Sequence, residues 1–239
     1  MQLEICANSL QSAINAEEGG ADRIELCENL SEGGTTPSYG LLLKTRQQVS
    51  IPIHVLIRPR AGDFLYSDLE FEVMKEDIKL CKELGFEGVV IGILKADGSV
   101  DVERTRILTN LASPMTVTFH RAFDCCRYPE EALEEVIACG CDLILTSGLK
   151  PTAEEGSDLL DKLIVQARDR IRIMPGSGIH SGNIGRLKEH IRATEWHASA
   201  KVPAESVMHY QNRDLSDMGQ QPTLSNTAEV GKLRSLLKG

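Results

Sequence analysis

The sequence predicts an α/β protein folded as a single closed (β/α)8 barrel, a TIM barrel, with a short polar C-terminal extension. Three observations carry this expectation. First, β-rich runs alternate with helical ones eight times along the chain; such alternation builds a parallel sheet, and eight units in about 200 residues suit barrel closure. Second, the 239 residues are 41% hydrophobic, enough for a substantial core, which excludes wholesale disorder. Third, the competing α/β architecture, a doubly wound open sheet, would show a glycine-rich first turn, whereas Ala7-Asn8-Ser9 follows the first strand here.

The elements follow in order. The strands are expected at Gln2–Cys6, Asp22–Cys27, Ile53–Ile57, Gly88–Gly92, Met115–His120, Asp142–Ser147, Ile171–Met174 and Glu195–Ser199. Ser9 caps a first helix carrying Leu10, Ala13 and Ile14, ended by Gly19-Gly20. Ser67 and Glu70 make a capping box ahead of Phe71, Met74, Ile78 and Cys81, with Gly85 as the stop. Pro129 suits the first turn of a helix with Ala132, Leu133, Val136 and Ile137, which leaves at Gly140. Thr152 and Glu155 repeat the capping box before Leu159, Leu160, Leu163 and Ile164. No repeat or linker divides residues 1–200, so they form one barrel domain. Residues 201–239 turn polar and rich in Gln, Ser and Asn, with a short helix around 230–237. They are expected as an extension over the barrel mouth or in a contact between subunits.

Period-two alternation then sorts the strands into faces. Leu3 and Ile5 oppose Glu4 and Cys6; Ile24 and Leu26 oppose Arg23, Glu25 and Cys27. Ile53, Val55 and Ile57 oppose His54, Leu56 and Arg58; Val117 and Phe119 oppose Thr116, Thr118 and His120; Trp196 and Ala198 oppose Glu195, His197 and Ser199. With the apolar sets under the helices, five strands aim polar side chains into the lumen. Buried charge must be paired there or meet a ligand. Arg23 and Arg172 against Glu4, Glu25 and Glu195 suit a structural ion-pair layer low in the barrel. Cys6, Cys27, Arg58, His120, Ser147, His197 and Ser199 lie higher, at the strand ends where barrel sites are built.

Composition narrows the partners. With 26 basic and 35 acidic residues the formal charge is −9 and no basic stripe appears, which argues against nucleic acid and anionic membranes. The longest apolar runs fall far short of the roughly 20 residues of a membrane helix, and no signal peptide is visible. The seven cysteines are odd in number and form no CxxC pair, so reduced thiols in a cytoplasm are expected.

Two chemistries compete for the upper layer. Cys6 and Cys27 end adjacent strands on the lumen face, and two thiolates suit Cu(I); small buried cysteines that simply pack are the plain alternative. An enzyme acting on a small phosphate- or carboxylate-bearing substrate is the rival. Glu4, Glu25, His120 and Asp124 would supply acid/base groups. Arg58, Arg60 and Arg121 would clamp an anion, with Ser147, His197, Ser199 and the amides of Gly176, Ser177 and Gly178 around it. Arg60 has Asp63 and Arg121 has Asp124 as alternative partners. Glu4, Glu25, His54 and His120 could instead hold a divalent metal, although His54 lies deep. No lysine falls within a predicted strand, which argues against a Schiff base. A non-catalytic binding or scaffold protein is the third class.

Several blocks resemble the CutC family of copper homeostasis proteins: LEICA at 3–7, GGADRIELCENLSEGGTTPSYG at 19–40, IRPRAGDFLYSD at 57–68, TFHRAFD at 118–124, LTSG at 145–148, PGSGI at 175–179 and EWHASA at 195–200. Ala61 and Ser177 stand where that family usually has glycine. The resemblance implies a TIM barrel, a cytoplasmic location, homodimers or higher oligomers, and an association with copper, with Cys6 and Cys27 matching the family's candidate Cu(I) ligands. It brings no established reaction with it.

Overall fold

The computed structural model describes residues 1–210, 212, 214 and 221–238. Eight parallel strands form the barrel: β1 Gln2–Ala7, β2 Arg23–Leu26, β3 Ile53–Leu56, β4 Gly88–Ile91, β5 Thr116–Phe119, β6 Leu143–Thr146, β7 Arg172–Pro175 and β8 Glu195–Ala198. Their hydrogen-bonded order is β7-β6-β5-β4-β3-β2-β1-β8, and β7 lies beside β8 to complete a nearly closed ring. The expected strands are all present and differ from the expectation by a residue or two at their ends.

The helices between them are α1 Leu10–Glu18, α2 Tyr39–Gln48, α3 Asp68–Glu83, α4 Val102–Ala112, α5 Pro129–Ala138, α6 Ser157–Ala167 and α7 Ile184–His190. Ser9 caps α1 by accepting from the Ser12 amide, and the Ser67–Glu70 box caps α3 in both directions. Pro129 opens α5 as expected. The expected Thr152–Glu155 box forms only in part: the Glu155 amide donates to Thr152 Oγ1, but that hydroxyl, not the Thr152 amide, donates to the Glu155 carboxylate, and the turn precedes α6. The loop after β7 holds that turn: the Ala153 amide donates to the Ser177 carbonyl, and the Ser177 hydroxyl donates to Pro151 O at 2.7 Å.

The C-terminal segment departs from the expected appendage. β9 Lys201–Pro203 pairs antiparallel with β10 Thr223–Ser225 near the mouth. The last helix, α8 Thr227–Lys238, packs against α1, α7 and β1 and buries Val230, Leu233 and Leu237. It is the eighth helix of the barrel, so the barrel extends past residue 200. Part of the predicted extension lies outside the described residues.

The core is a shell of apolar side chains between strands and helices, including Leu3, Ile5, Ile24, Ile53, Phe119 and Trp196. The lumen is mixed. Register places Glu4 beside Arg23 and His197, Cys6 beside Glu25, and Glu25 beside His54. Two small apolar clusters share that space: Cys6, Cys27, Leu56 and Val90 on one side, and Leu143, Leu145 and Met174 on the other.

Candidate functional site

The floor of the lumen is a closed set of ion pairs. Arg23 Nε donates to Glu4 Oε2 at 2.5 Å and its Nη2 to Glu195 Oε2 at 2.8 Å, while Arg172 Nη1 donates to Glu195 Oε1 at 2.6 Å. The expected low charge layer therefore exists, with one change: Glu25 sits a layer higher, beside Cys6 and His197. Burial alone would raise the Glu4 carboxyl; the charge of Arg23 and the hydrogen bond from His197 override it and hold Glu4 well below the usual carboxylate range.

Above that floor, Cys6 Sγ lies 3.5 Å from Cys27 Sγ and 3.8 Å from Glu25 Oε1. Ligand atoms of Cys6, Glu25 and His197 all fall within 4.8 Å of one another. His197 Nδ1 donates to Glu4 Oε1 at 2.7 Å. Burial opposes charge on that ring, but Cys6, Glu25 and Glu4 together push it well above the usual imidazole range. Burial, with the negative charge of Glu4, raises Glu25 to about 7 against the pull of His197. The Cys6 thiol is pushed up by its hydrogen bond with Cys27 and by burial. Glu25 Oε2 is buried with no hydrogen-bond partner.

This group opens into a cavity of ≈ 870 Å³ at the C-terminal ends of the strands. Cys6, Glu25, Arg58, His120 and His197 line it, and Asp124, Arg121, Ser177, Gly178 and Ser199 stand around it. The 3₁₀ turn Arg121–Cys125 carries His120 as its cap: His120 Nδ1 accepts the Ala122 amide at 3.0 Å. The ring lies where a side chain on Gly92 would be, since a Cβ there would collide with it; Gly88 makes the same room for His54. Burial and the nearby Arg58 push His120 down to about 3, and burial above all takes His54 to about 4.

Several expected site residues are already engaged elsewhere. Arg60 is held by Glu70 at 2.6 Å and Asp63 at 2.9 Å and does not line the cavity, because these two carboxylates outcompete the mouth for its charge. Arg58 donates to the carbonyls of Glu32, Gly34 and Gly62, so it chiefly fastens two loops. Asp124 accepts from Arg121 Nε at 2.7 Å, from Thr146 Oγ1 at 2.5 Å and from the Ser147 and Leu149 amides. An acid/base role would need a free oxygen, and both of its oxygens are occupied. Ser147 is fully buried in the same knot, its hydroxyl 2.5 Å from the Lys150 carbonyl.

One amide of the anion cradle expected after β7 is already engaged. The Gly176 amide donates to Thr146 O and prolongs the sheet. The Ser181 amide and hydroxyl both donate to Glu229 of α8, at 2.7 and 2.9 Å. A carboxylate of the chain thus occupies the donors of Ser181, just beyond the Gly176–Gly178 turn. Residue-level reasoning missed Glu229, Phe64 and the glycines Gly88, in β4, and Gly92, just past it. Only the glycines carried a signal, being four apart on a lumen face next to strands bearing histidine.

Comparison with known proteins adds to this geometry. The CutC family model matches residues 1–202. A human protein named copper homeostasis protein cutC homolog is 48% identical over 98% of this chain and 87% of its own length. A CutC family protein of Chromobacterium violaceum is 56% identical over 87% of this chain and 85% of its own length. The crystal structure of the CutC protein from Streptococcus agalactiae superposes with a TM-score of 0.79 at 32% identity, covering 83% of this chain and 98% of that one. Thiamine phosphate pyrophosphorylase from Pyrococcus furiosus shares the fold alone, with a TM-score of 0.63 at 15% identity over 99% of this chain and 95% of that one.

Proposed function

This chain belongs to the CutC family, and from that membership we propose that it handles copper, taking Cu(I) as cargo between Cys6 and Cys27 with His197 beside Cys6. The carrying observation is the 3.5 Å approach of the two sulfurs, with Cys6 lining an open cavity and Cys27 buried behind it. Two thiolates form a soft donor pair of the kind that Cu(I) prefers; the His197 imidazole groups with Cys6 and Glu25, not with Cys27, and a carboxylate such as Glu25 suits harder cations. The family link supports the same ion through the relative named for copper homeostasis.

Binding has a proton cost that the site makes explicit. Ligation requires a thiolate and a neutral imidazole, and here the Cys6 thiol and the His197 imidazolium are both held in their protonated forms. Copper uptake therefore releases protons and weakens as pH falls. All seven cysteines are free, as a reducing compartment would keep them, which supports the expected cytoplasmic location. A homo-oligomer belongs to the same proposal: Leu69 and Val73, one turn apart on α3, leave an exposed apolar strip that a second copy would cover.

The test is Cu(I) competition against a chelator of known affinity, run under anaerobic reduction. The Cys6→Ser/Cys27→Ser protein should lose most of its affinity, while Cys125→Ser, altering the exposed thiol, should match wild type. Unchanged affinity in a folded double variant would move copper to other thiols and sink the proposal.

A further inference from the structure

Beside the sulfur site, the wall built by the ends of β3 and β5 holds two buried donors without a hydrogen-bond partner. His120 Nδ1 accepts the Ala122 amide at 3.0 Å, so that nitrogen carries no proton. Burial and the adjacent guanidinium of Arg58 keep the ring neutral. Its single proton therefore sits on Nε2, and Nε2 has no hydrogen-bond partner. Arg58 presents the same situation. Its terminal nitrogens donate to three carbonyls, and Nε is left without a hydrogen-bond partner.

Both residues are at least nine-tenths buried, with exposures of 5% for His120 and 4% for Arg58. A buried donor left unpaired costs on the order of 1–3 kcal/mol, and folded proteins seldom tolerate one without a reason. Tyr66 Oη, buried and unpaired in the same way, stands beside the Arg58 guanidinium and is an acceptor the chain itself offers to it, whereas the His120 Nε2 proton is left to a ligand. The His120 and Arg58 side chains are gathered by Phe64, whose ring centroid lies 5.0 Å from Arg58 Cζ and 5.1 Å from the His120 ring centroid. All three line the ≈ 870 Å³ cavity, together with apolar Leu30, Leu56 and Ile179.

We propose that this wall binds a small organic oxyanion, a carboxylate or phosphate ester. One of its oxygens accepts from His120 Nε2–H beside the Arg58 guanidinium, while its carbon skeleton lies on Phe64 and Leu56. The orphaned His120 Nε2 carries a proton, which selects an acceptor and not a metal ion. The volume far exceeds what one cation needs, and the apolar lining would leave an inorganic anion half unmatched. The site is separate from the copper proposal, since neither His120 nor Arg58 belongs to the sulfur cluster.

The experiment uses the full chain labelled with ¹⁵N-histidine and three probes: malate, glycerol 3-phosphate and inorganic phosphate. The His120 nitrogens should show the neutral, Nε2-protonated tautomer. That resonance should shift saturably with malate or glycerol 3-phosphate, which separates the carboxylate from the phosphate source, and far less with inorganic phosphate. His120→Phe keeps the ring against Phe64 and removes the donor; calorimetry should show about a tenfold or larger loss for the binding probe. Cys6→Ser/Cys27→Ser should bind that probe as wild type does, so failure of the copper proposal and of this one are told apart. An Nδ1-protonated ring, no saturable shift with either organic probe, or undiminished binding by a folded His120→Phe protein would each overturn the proposal. Equal saturation by inorganic phosphate would overturn its organic part. Should His120→Phe fail to fold, the wild-type spectra decide.

Discussion

Replacing Arg23 by Met should show how much the lumen floor depends on one guanidinium. Arg23 joins Glu4 at 2.5 Å and Glu195 at 2.8 Å, and all three residues are buried. Removing one partner of a buried pair costs about 3–5 kcal/mol, because the other charge is stranded in a poor solvent. Glu195 keeps Arg172 at 2.6 Å and Glu4 keeps His197 at 2.7 Å, so neither carboxylate is left alone. The expected loss is thus near the lower bound, about 3 kcal/mol at neutral pH, or roughly 6–12 °C in Tm for a domain this size. The effect must depend on pH. In the wild type, Glu4 is held below its ordinary value of 4.5, so its contribution is present above that pH and fades as pH falls. Without Arg23 that lowering shrinks, although His197 still holds the carboxylate, so the variant has less stability to lose on acidification. The gap between the two proteins should therefore be full above pH 4.5 and narrow as pH is lowered below it, in urea unfolding followed by circular dichroism. A loss under about 1 kcal/mol, or a gap independent of pH, would refute the view that this layer is an electrostatic girdle.

Asp124→Ala should lower stability by about 2–3 kcal/mol in urea unfolding, since Arg121, Thr146 and two backbone amides lose their shared acceptor; a near-neutral result would return Asp124 to the list of free acid/base groups. Leu233→Ala should cost about 2–5 kcal/mol by the same measurement, because its side chain is fully buried under α8. A loss within about 0.5 kcal/mol would instead mark α8 as a loosely docked appendage.

The barrel was legible because burial imposes a simple code on parallel strands. Leu3, Ile5, Ile24, Phe119 and Trp196 had to face the helices, and that forced Glu4, Glu25, His120 and His197 inward, where the structure has them. The pairing of Arg23 with Glu4 and Glu195 followed from the same alternation. Partners outside the strands were not legible in this way. Arg60 and Arg121 each had an acidic residue three positions on, and local carboxylates claimed both. Glu229 reaches Ser181 across 48 residues, a distance over which no period or motif speaks. The helix around 230–237 was legible, but the polar stretch before it gave no sign that the helix packs on α1, α7 and β1 as the eighth of the barrel.

The lumen divides by whether its polar groups have partners, and that division separates structural from functional residues better than residue type does. Low in the barrel, Arg23, Glu4, Glu195 and Arg172 exchange direct hydrogen bonds, and each carboxylate oxygen there has a donor. Higher up, the same residue classes recur with atoms left over: Glu25 Oε2, His120 Nε2 and Arg58 Nε. A fold under selection for stability alone would have filled those positions with leucine, as β6 and β7 do with Leu143, Leu145 and Met174. Unpaired groups in the lumen are not confined to the mouth, since Thr118 Oγ1 and His54 Nδ1 lack partners too. Only at the mouth, however, do they adjoin an open cavity, and there the cost of leaving them unpaired is recovered when a ligand arrives. Copper at the sulfurs and an oxyanion at His120 and Arg58 would then be neighbours in one cavity. The two variant sets, cysteine and histidine, address them independently.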